Sequence, residues 1–241
     1  MRYGIFSDVH SNLEAFEAVL DAYKKEKIDQ YIFAGDIVGY GANPKECIKL
    51  LREINPQAVC GNHDWGAAEK TPLDYFNDYA RQALIWTRDI LDEAEIRYLA
   101  DLKLIYKDND LTVAHASLDD PQAFEYILDL QTARKSLEIL ETPLGIVGHS
   151  HVPFILVEEE GYPRALKEYK VKLQEGKKYL VNCGSVGQPR DLDPRAAYCV
   201  YDTQDKTIEI KRLEYDIKTA QEKILDAGLP KNLAYRLGQG T

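Results

Sequence analysis

The chain has five histidines among its 241 residues. Each stands where a short apolar run gives way to a polar loop. His10 follows the run 2–7, His63 follows 58–60, His115 closes 111–114, and His149 and His151 follow 144–147. A further run, 31–34, ends at Gly35-Asp36. In open α/β sheets, ligands collect outside the carboxyl ends of the strands. Such a chain is predicted to fold so that these loops converge on one rim.

The segments between the clusters support that reading. Leu13, Phe16, Val19 and Leu20 fall at helical spacing before a Lys-rich end. A helix is predicted from about residue 44 to 53, with Pro44 in its first turn. Residues 73–100 read as an amphipathic helix with Tyr79, Ala83, Trp86, Ile90 and Leu91 on one face. Residues 102–115 read as two strands around Asp108-Asn109-Asp110, and 131–140 as a helix. Strands at 153–157, 179–182, 197–201 and 208–213 follow, then a helix over 216–227. The tail LPKNLAYRLGQGT reads as weakly ordered or a short helix, and the charged stretch 158–178 as a solvated hairpin or flap. The alternation predicts a mostly parallel sheet covered by helices. No repeat or linker marks a boundary, so residues 1–241 are read as one domain.

Composition narrows the function classes. Hydrophobic residues at 45% and charged residues at 29% give a soluble globular balance. No stretch approaches the roughly 18 consecutive apolar residues of a membrane span. The opening MRYGIFSDVH has no apolar core of signal-peptide length. The cysteines Cys47, Cys60, Cys183 and Cys199 form no C-x-x-C pair, which argues against a zinc knuckle or a thioredoxin-like motif. They read as small buried residues in a reducing cytoplasm. A net charge of -10 disfavours non-specific binding to nucleic acid or an anionic membrane. It leaves a phosphorylated small molecule open as substrate, because a site holding divalent cations is locally positive. A homo-oligomer is compatible with all of this.

Taken singly, most clusters have ordinary readings. Asp8 suits a helix N-cap, Gly35-Asp36 a plain turn, and His115 a hydrogen-bonded core histidine. Gly61-Asn62-His63-Asp64 places three polar side chains directly after a buried strand, and Gly148-His149-Ser150-His151 presents two imidazoles one residue apart. Two such imidazoles can address two nearby metal ions, or one ion from two sides.

Taken in order, SDVHSN (7–12), GDIVGYG (35–41), GNHD (61–64), AHAS (114–117) and GHSHVP (148–153) resemble the motifs of the calcineurin-like metallophosphoesterase superfamily. The late segment NCGSVGQPRD (182–191) resembles its small bacterial and archaeal phosphodiesterase-like branch. The resemblance implies a four-layer α/β/β/α sandwich with the site at one edge of two facing sheets. By position it assigns Asp8, His10, Asp36 and His151 to one metal ion, and Asp36, Asn62, His115 and His149 to a second, with Asp36 bridging. His63 is then no ligand but faces the substrate, a catalytic role in which Asp64 would orient it; the plain alternative for Asp64 is a helix N-cap. Ser185 and Arg190, with Gly184 and Gly187, are expected beside the substrate, Arg190 gripping a second phosphate; a glycine-rich turn is the plain alternative.

The implied reaction is phosphoester hydrolysis by a hydroxide shared between two divalent ions. The ligand set is mixed N and O without thiolate. It suits manganese foremost, with iron, nickel, cobalt or zinc as alternatives. Protein Ser/Thr phosphatases of the superfamily carry Asp and Arg where this chain has Gly39 and Tyr40. That departure favours a small phosphodiester or nucleotide pyrophosphate, such as a dinucleoside polyphosphate, over a phosphomonoester or phosphoprotein. Tyr40 is also a candidate face for stacking a base. A non-catalytic scaffold on the same fold is the rival from another class, and the full ligand set with His63 speaks against it.

Overall fold

The computed structural model describes residues 1–241. Strand β1 (Arg2–Phe6) shows how the layers arise, because side chains of a strand alternate between faces. Tyr3 and Ile5 join a buried cluster with Val113, Ile146 and Val181, while Phe6 joins another with Phe16, Val19 and Phe33. The first cluster is the seam between two sheets. The second fills the space between one sheet and its helices.

The first sheet runs β3 (Gln57–Ala58), β2 (Gln30–Phe33), β1, β11 (Ala196–Asp202), β12 (Thr207–Leu213) and β9 (Lys170–Lys172). Helices α1 (Leu13–Glu26) and α2 (Pro44–Ile54) bury Phe16, Val19, Ile48 and Leu51 on its outer face. Fully burying each such side chain contributes roughly 1.5–3 kcal/mol. The second sheet runs β4 (Ile105–Lys107), β5 (Leu111–Ala114), β6 (Leu144–Val147), β10 (Tyr179–Asn182), β7 (Phe154–Glu159) and β8 (Tyr162–Ala165). Helix α6 (Leu130–Ile139) covers its outer face through Ala133 and Leu137. The order is α/β/β/α.

Only part of each sheet is parallel, so the expectation of one mostly parallel sheet is corrected. β1, β2 and β3 are parallel in one sheet, and β5, β6 and β10 in the other; the remaining pairings are antiparallel. The two parallel trios matter for the site, because both end at the same rim.

The stretch 73–100 is not one helix. After a 3-10 turn (Leu73–Tyr75) it forms α4 (Asp78–Ile90) and α5 (Glu93–Asp101). Asp92 breaks it: its carboxylate accepts from Ala94 N at 2.8 Å and Glu95 N at 2.9 Å, and Glu95 answers from Asp92 N at 2.8 Å. This reciprocal cap starts a helix wherever it forms. The buried face of α4 is Ala80, Ala83, Leu84 and Thr87, one step round from the expected one, and leaves Tyr79 exposed.

The charged stretch 158–178 forms the hairpin β7–β8 and then β9, which joins the other sheet. Register places it away from the rim. Phe154 of β7 pairs with Asn182 at the rim end, so the turn beyond Glu159 lies at the opposite end. A flap over the site is therefore excluded. The tail folds: α7 (Ile217–Asp226), the short α8 (Lys231–Tyr235) and a 3-10 turn (Arg236–Gly238) pack with Tyr40, Ala80 and Ala83. No helix is long and apolar enough to cross a membrane.

Candidate metal centre

The loops after β1, β2, β3, β5 and β6 deliver Asp8 and His10, Asp36, Asn62, His115, and His149 and His151 to one rim. Three groups of ligand atoms lie within 4.8 Å of one another: Asp8, His10 and His151; His10, Asp36 and His63; Asp36, His115 and His149. The five imidazoles and both carboxylates are buried.

Hydrogen bonds to carbonyls orient three of the rings. A carbonyl can only accept, so the ring nitrogen facing it carries the proton. His10 Nδ1 donates to Val38 O at 3.1 Å, His115 Nδ1 to Ala34 O at 2.7 Å, and His151 Nδ1 to Gln188 O at 2.6 Å. In the neutral ring each Nε2 would carry a lone pair aimed inward, the second-layer arrangement that metal-binding histidines use. Those lone pairs then meet awkwardly. His10 Nε2 faces His151 Nε2 at 3.0 Å, and His115 Nε2 lies 3.1 Å from His149 Nδ1. Asp36 Oδ2 is 3.3 Å from His115 Nε2 and 3.6 Å from His10 Nε2, and has no hydrogen bond of its own. Asn62 Oδ1 is likewise buried without a partner. Buried acceptors without donors are costly, and cations between them would satisfy all of them. The donor set fits divalent ions.

Charge shifts agree. Burial alone would raise Asp8 and Asp36, yet His151 acting on Asp8, and His115 on Asp36, hold both well below the carboxylate range. Burial would lower His115, but Asp36 and then Asp8 raise it to about 9. The carboxylates thus demand positive charge at this spot.

The backbone is bent to achieve this. Asp8, His10, Asp36, His149 and His151 all have φ between 49° and 66°. That left-handed conformation is uncommon outside glycine, and its clustering marks a functional site. Gly61 lets the loop after β3 come close to Asp36: a Cβ there would lie 2.0 Å from Asp36 Oδ1.

Other expectations are met differently. Asp8 is not the cap of α1; Asn12 is, accepting from Ala15 N at 3.2 Å. The Asp64 carboxylate makes no hydrogen bond to the His63 ring. Its carboxylate accepts from Asp36 N at 2.8 Å, Ile37 N at 2.9 Å and Gly61 N at 2.9 Å, so it shapes the Asp36 loop. Ser185 does not face substrate. It is wholly buried, donates to Asp8 O at 2.7 Å and accepts from Gln188 N at 2.8 Å. Gly187 approaches Val9 O so closely that a Cβ would lie 1.8 Å from it, and Gly184 N donates to Asn182 Oδ1. These two glycines serve packing. Tyr40 is no free stacking face either: it is buried against His10 and His63, with ring centroids 4.6 and 4.5 Å apart.

His63 meets the ligand rings only through His10, edge to face at 4.8 Å. It packs on Tyr40 and, at 5.1 Å, on Phe76. Its Nδ1 lies against Gly39, where a Cβ would stand 2.3 Å away, and has no hydrogen-bond partner. Burial lowers its pKa to about 4, against the pull of Asp36 and with Arg190 adding to the fall, so the ring is neutral at neutral pH. It lines a cleft of about 560 Å³ with Asn62, Trp65, Phe76, Tyr126 and His149. Tyr126, unforeseen in the sequence, stacks on His149 at 3.7 Å. It comes from an irregular segment with no periodicity to single it out.

Comparison with known proteins places this geometry. The Calcineurin-like phosphoesterase superfamily domain matches residues 1–206. An uncharacterized protein of Methanocaldococcus jannaschii is 43% identical over 242 residues, covering 98% of this chain and 97% of that one. The crystal structure of a metallophosphoesterase from Sphaerobacter thermophilus superposes with a TM-score of 0.89 at 39% identity, covering 100% and 99% of the two chains. A hypothetical protein from Pyrococcus horikoshii shares the fold at 20% identity, with a TM-score of 0.81 and coverage of 100% and 98%.

Proposed function

We propose, from the premise that the chain belongs to the calcineurin-like phosphoesterase superfamily, that it cleaves small phosphodiesters or nucleotide pyrophosphates. It is a phosphoric ester hydrolase; the diester preference and the roles below are our reading. Asp8, His10, Asp36 and His151 would hold one divalent ion, and Asp36, Asn62, His115 and His149 the other. Manganese fits the mixed N and O donors best. When bound, such ions polarise a phosphoryl group and make water acidic enough to attack near neutral pH.

The chain's own residues do the rest. Asp64 keeps the Asp36 loop in its left-handed bend by accepting hydrogen bonds from Asp36 N and Ile37 N, and ties it to the loop after β3 through Gly61 N. The carbonyls of Val38, Ala34 and Gln188 fix the ring tautomers. His63, neutral and wedged between Tyr40 and Phe76, offers a ring N–H to the leaving oxygen. With glycine at position 39, no carboxylate braces that ring; aromatic packing does.

The observation that carries the diester reading is the cleft beginning at His63 and Asn62. Its walls include Trp65, Tyr75, Phe76, Phe124 and Tyr126, and its volume is about 560 Å³, within the range of small-molecule sites. A monoester's phosphate would use only the metal end; a second ester arm has this cleft to enter. The four free, buried cysteines support a reducing, cytoplasmic setting.

The test compares turnover of bis-p-nitrophenyl phosphate and p-nitrophenyl phosphate with Mn²⁺ and with EDTA. Metal-dependent cleavage of the diester at the higher kcat/KM is expected. A clear preference for the monoester would move the assignment to a phosphatase, and no cleavage of either by metal-loaded protein would leave the scaffold reading.

A further inference from the structure

The cleft that opens at Asn62 and His63 differs from the rest of the chain in what lines it. Six of its sixteen lining residues are aromatic, against 10% of the whole sequence. It contains one lysine, Lys70, and no Asp or Glu, although acidic residues outnumber basic ones 40 to 30 in the chain. Asn62, Thr71, Asn77 and Gln122 add uncharged hydrogen-bonding groups. Arg190 Nη2 donates to Tyr40 Oη at 3.3 Å and to Gln188 Oε1 at 2.9 Å, and Arg190 does not line the cleft. Such walls do not grip a second phosphate; they suit a flat ring with a polar edge.

Tyr126 is placed in this cleft as a platform. One face of its ring stacks on His149, with centroids 3.7 Å apart and planes 22° from parallel. No second ring packs on it, and 43% of the residue stays exposed. Tyr40, by contrast, is 6% exposed and packed on both His10 and His63. The residues on either side of Tyr126 hold it in place. Phe124 joins a buried cluster with Cys60 and Ala116 and meets Trp65 edge to face at 5.6 Å, and Ile127 joins one with Ala133 and Leu137. Glu125 O between them accepts from Ser117 N at 3.1 Å. Tyr75, 83% exposed, lines the same cleft from the 3-10 turn before α4. A ring already braced on His149 loses little freedom when a second ring stacks on its open face.

We propose that Tyr126 is a specificity-determining residue, whose open face stacks on a planar aromatic arm of the phosphoester and selects such esters over alkyl ones. This rests on the reading that the scissile phosphoryl group sits at the Asp36 centre, beside His149. Ions held there recognise any phosphoryl group, so discrimination between esters falls to the cleft. Two kinds of arm carry the chemistry that its walls recognise, a nucleobase and a simple aryl group.

The test is calorimetric binding of non-hydrolysable probes to Mn²⁺-loaded full-length protein. Benzylphosphonate and methylphosphonate share the anion and differ only in the arm. The wild type is expected to bind benzylphosphonate roughly ten- to hundred-fold more tightly, the typical effect of stacking one ring on an aromatic side chain. Tyr126→Ala should remove most of that preference, and Tyr126→Phe, which keeps the ring, should retain it. Cyclohexylmethylphosphonate, as apolar but not flat, should bind the wild type less tightly than benzylphosphonate. A preference that survives Tyr126→Ala, an equal loss of affinity for both arms, or equal affinity for the flat and the puckered ring would overturn the proposal and leave Tyr126 as cover for His149. Thymidine 5′-phosphonate separates the two arms. Binding tighter than benzylphosphonate that Tyr126→Ala weakens assigns the subsite to a nucleobase, and weaker binding assigns it to a simple aryl group. If the ring preference appears but no ester is cleaved, the subsite stands and the hydrolytic reading falls; if esters are cleaved and no ring preference appears, the subsite alone falls.

Discussion

Asp8, His10, Asp36, His149 and His151 share a backbone conformation that costs of order 1–3 kcal/mol each. The chain accepts that strain because it turns five side chains inward from strand ends. Gly61 shows how little room is left. Gly61→Ala would put a methyl group 2.0 Å from Asp36 Oδ1, and elemental analysis of the variant should find fewer than two ions per chain; two would show that the Asp36 loop yields. His63→Ala should differ in kind. It should keep both ions while kcat falls about 10²- to 10⁴-fold, the usual worth of a proton-donating group. A variant that keeps its rate would remove His63 from the chemistry. At this scale much was legible in sequence. Histidine and aspartate after apolar runs stood out because such residues seldom occur there by chance of composition. Ser185 was misread because a serine between glycines looks the same whether it meets a substrate or, as here, the Asp8 carbonyl.

Elements were legible where the local pattern was complete. β1, β2, α1 and α2 follow from period and from Pro44. The break between α4 and α5 was carried by Asp92 and Glu95 but hidden by the apolar residues on both sides, which continue at helical spacing. Asp92→Ala should cost about 1 kcal/mol of stability through loss of that cap, measured by urea denaturation, with turnover unchanged; a loss of activity would tie α5 to the site. Sheet membership was not legible. β9 has three residues and pairs across to β12, so its place depends on a contact far along the chain that no local pattern encodes.

The whole molecule is two sheets meeting over a common apolar seam, with two parallel trios ending at one rim. The α/β/β/α order came from resemblance rather than from periodicity, because alternation alone does not say how strands divide between sheets. Buried carboxylates and inward lone pairs couple this architecture to metal. At an ion concentration about 100-fold above its Kd, binding to the native state alone adds roughly 2.7 kcal/mol per site. Mn²⁺-loaded protein should therefore melt at a higher temperature than protein in EDTA; equal melting temperatures would mean that the site is not pre-formed. The acidic surface, at -10, predicts no salt-sensitive retention of duplex DNA in a mobility-shift assay.

The central claim is that one carboxylate, Asp36, joins two ions into a single centre. Low-temperature electron paramagnetic resonance of the Mn²⁺-loaded protein tests it most directly. The account predicts two manganese ions per chain with an exchange-coupled spectrum, which Asp36→Asn converts to the spectrum of isolated ions or abolishes. Isolated-ion spectra in the wild type at full loading would contradict it.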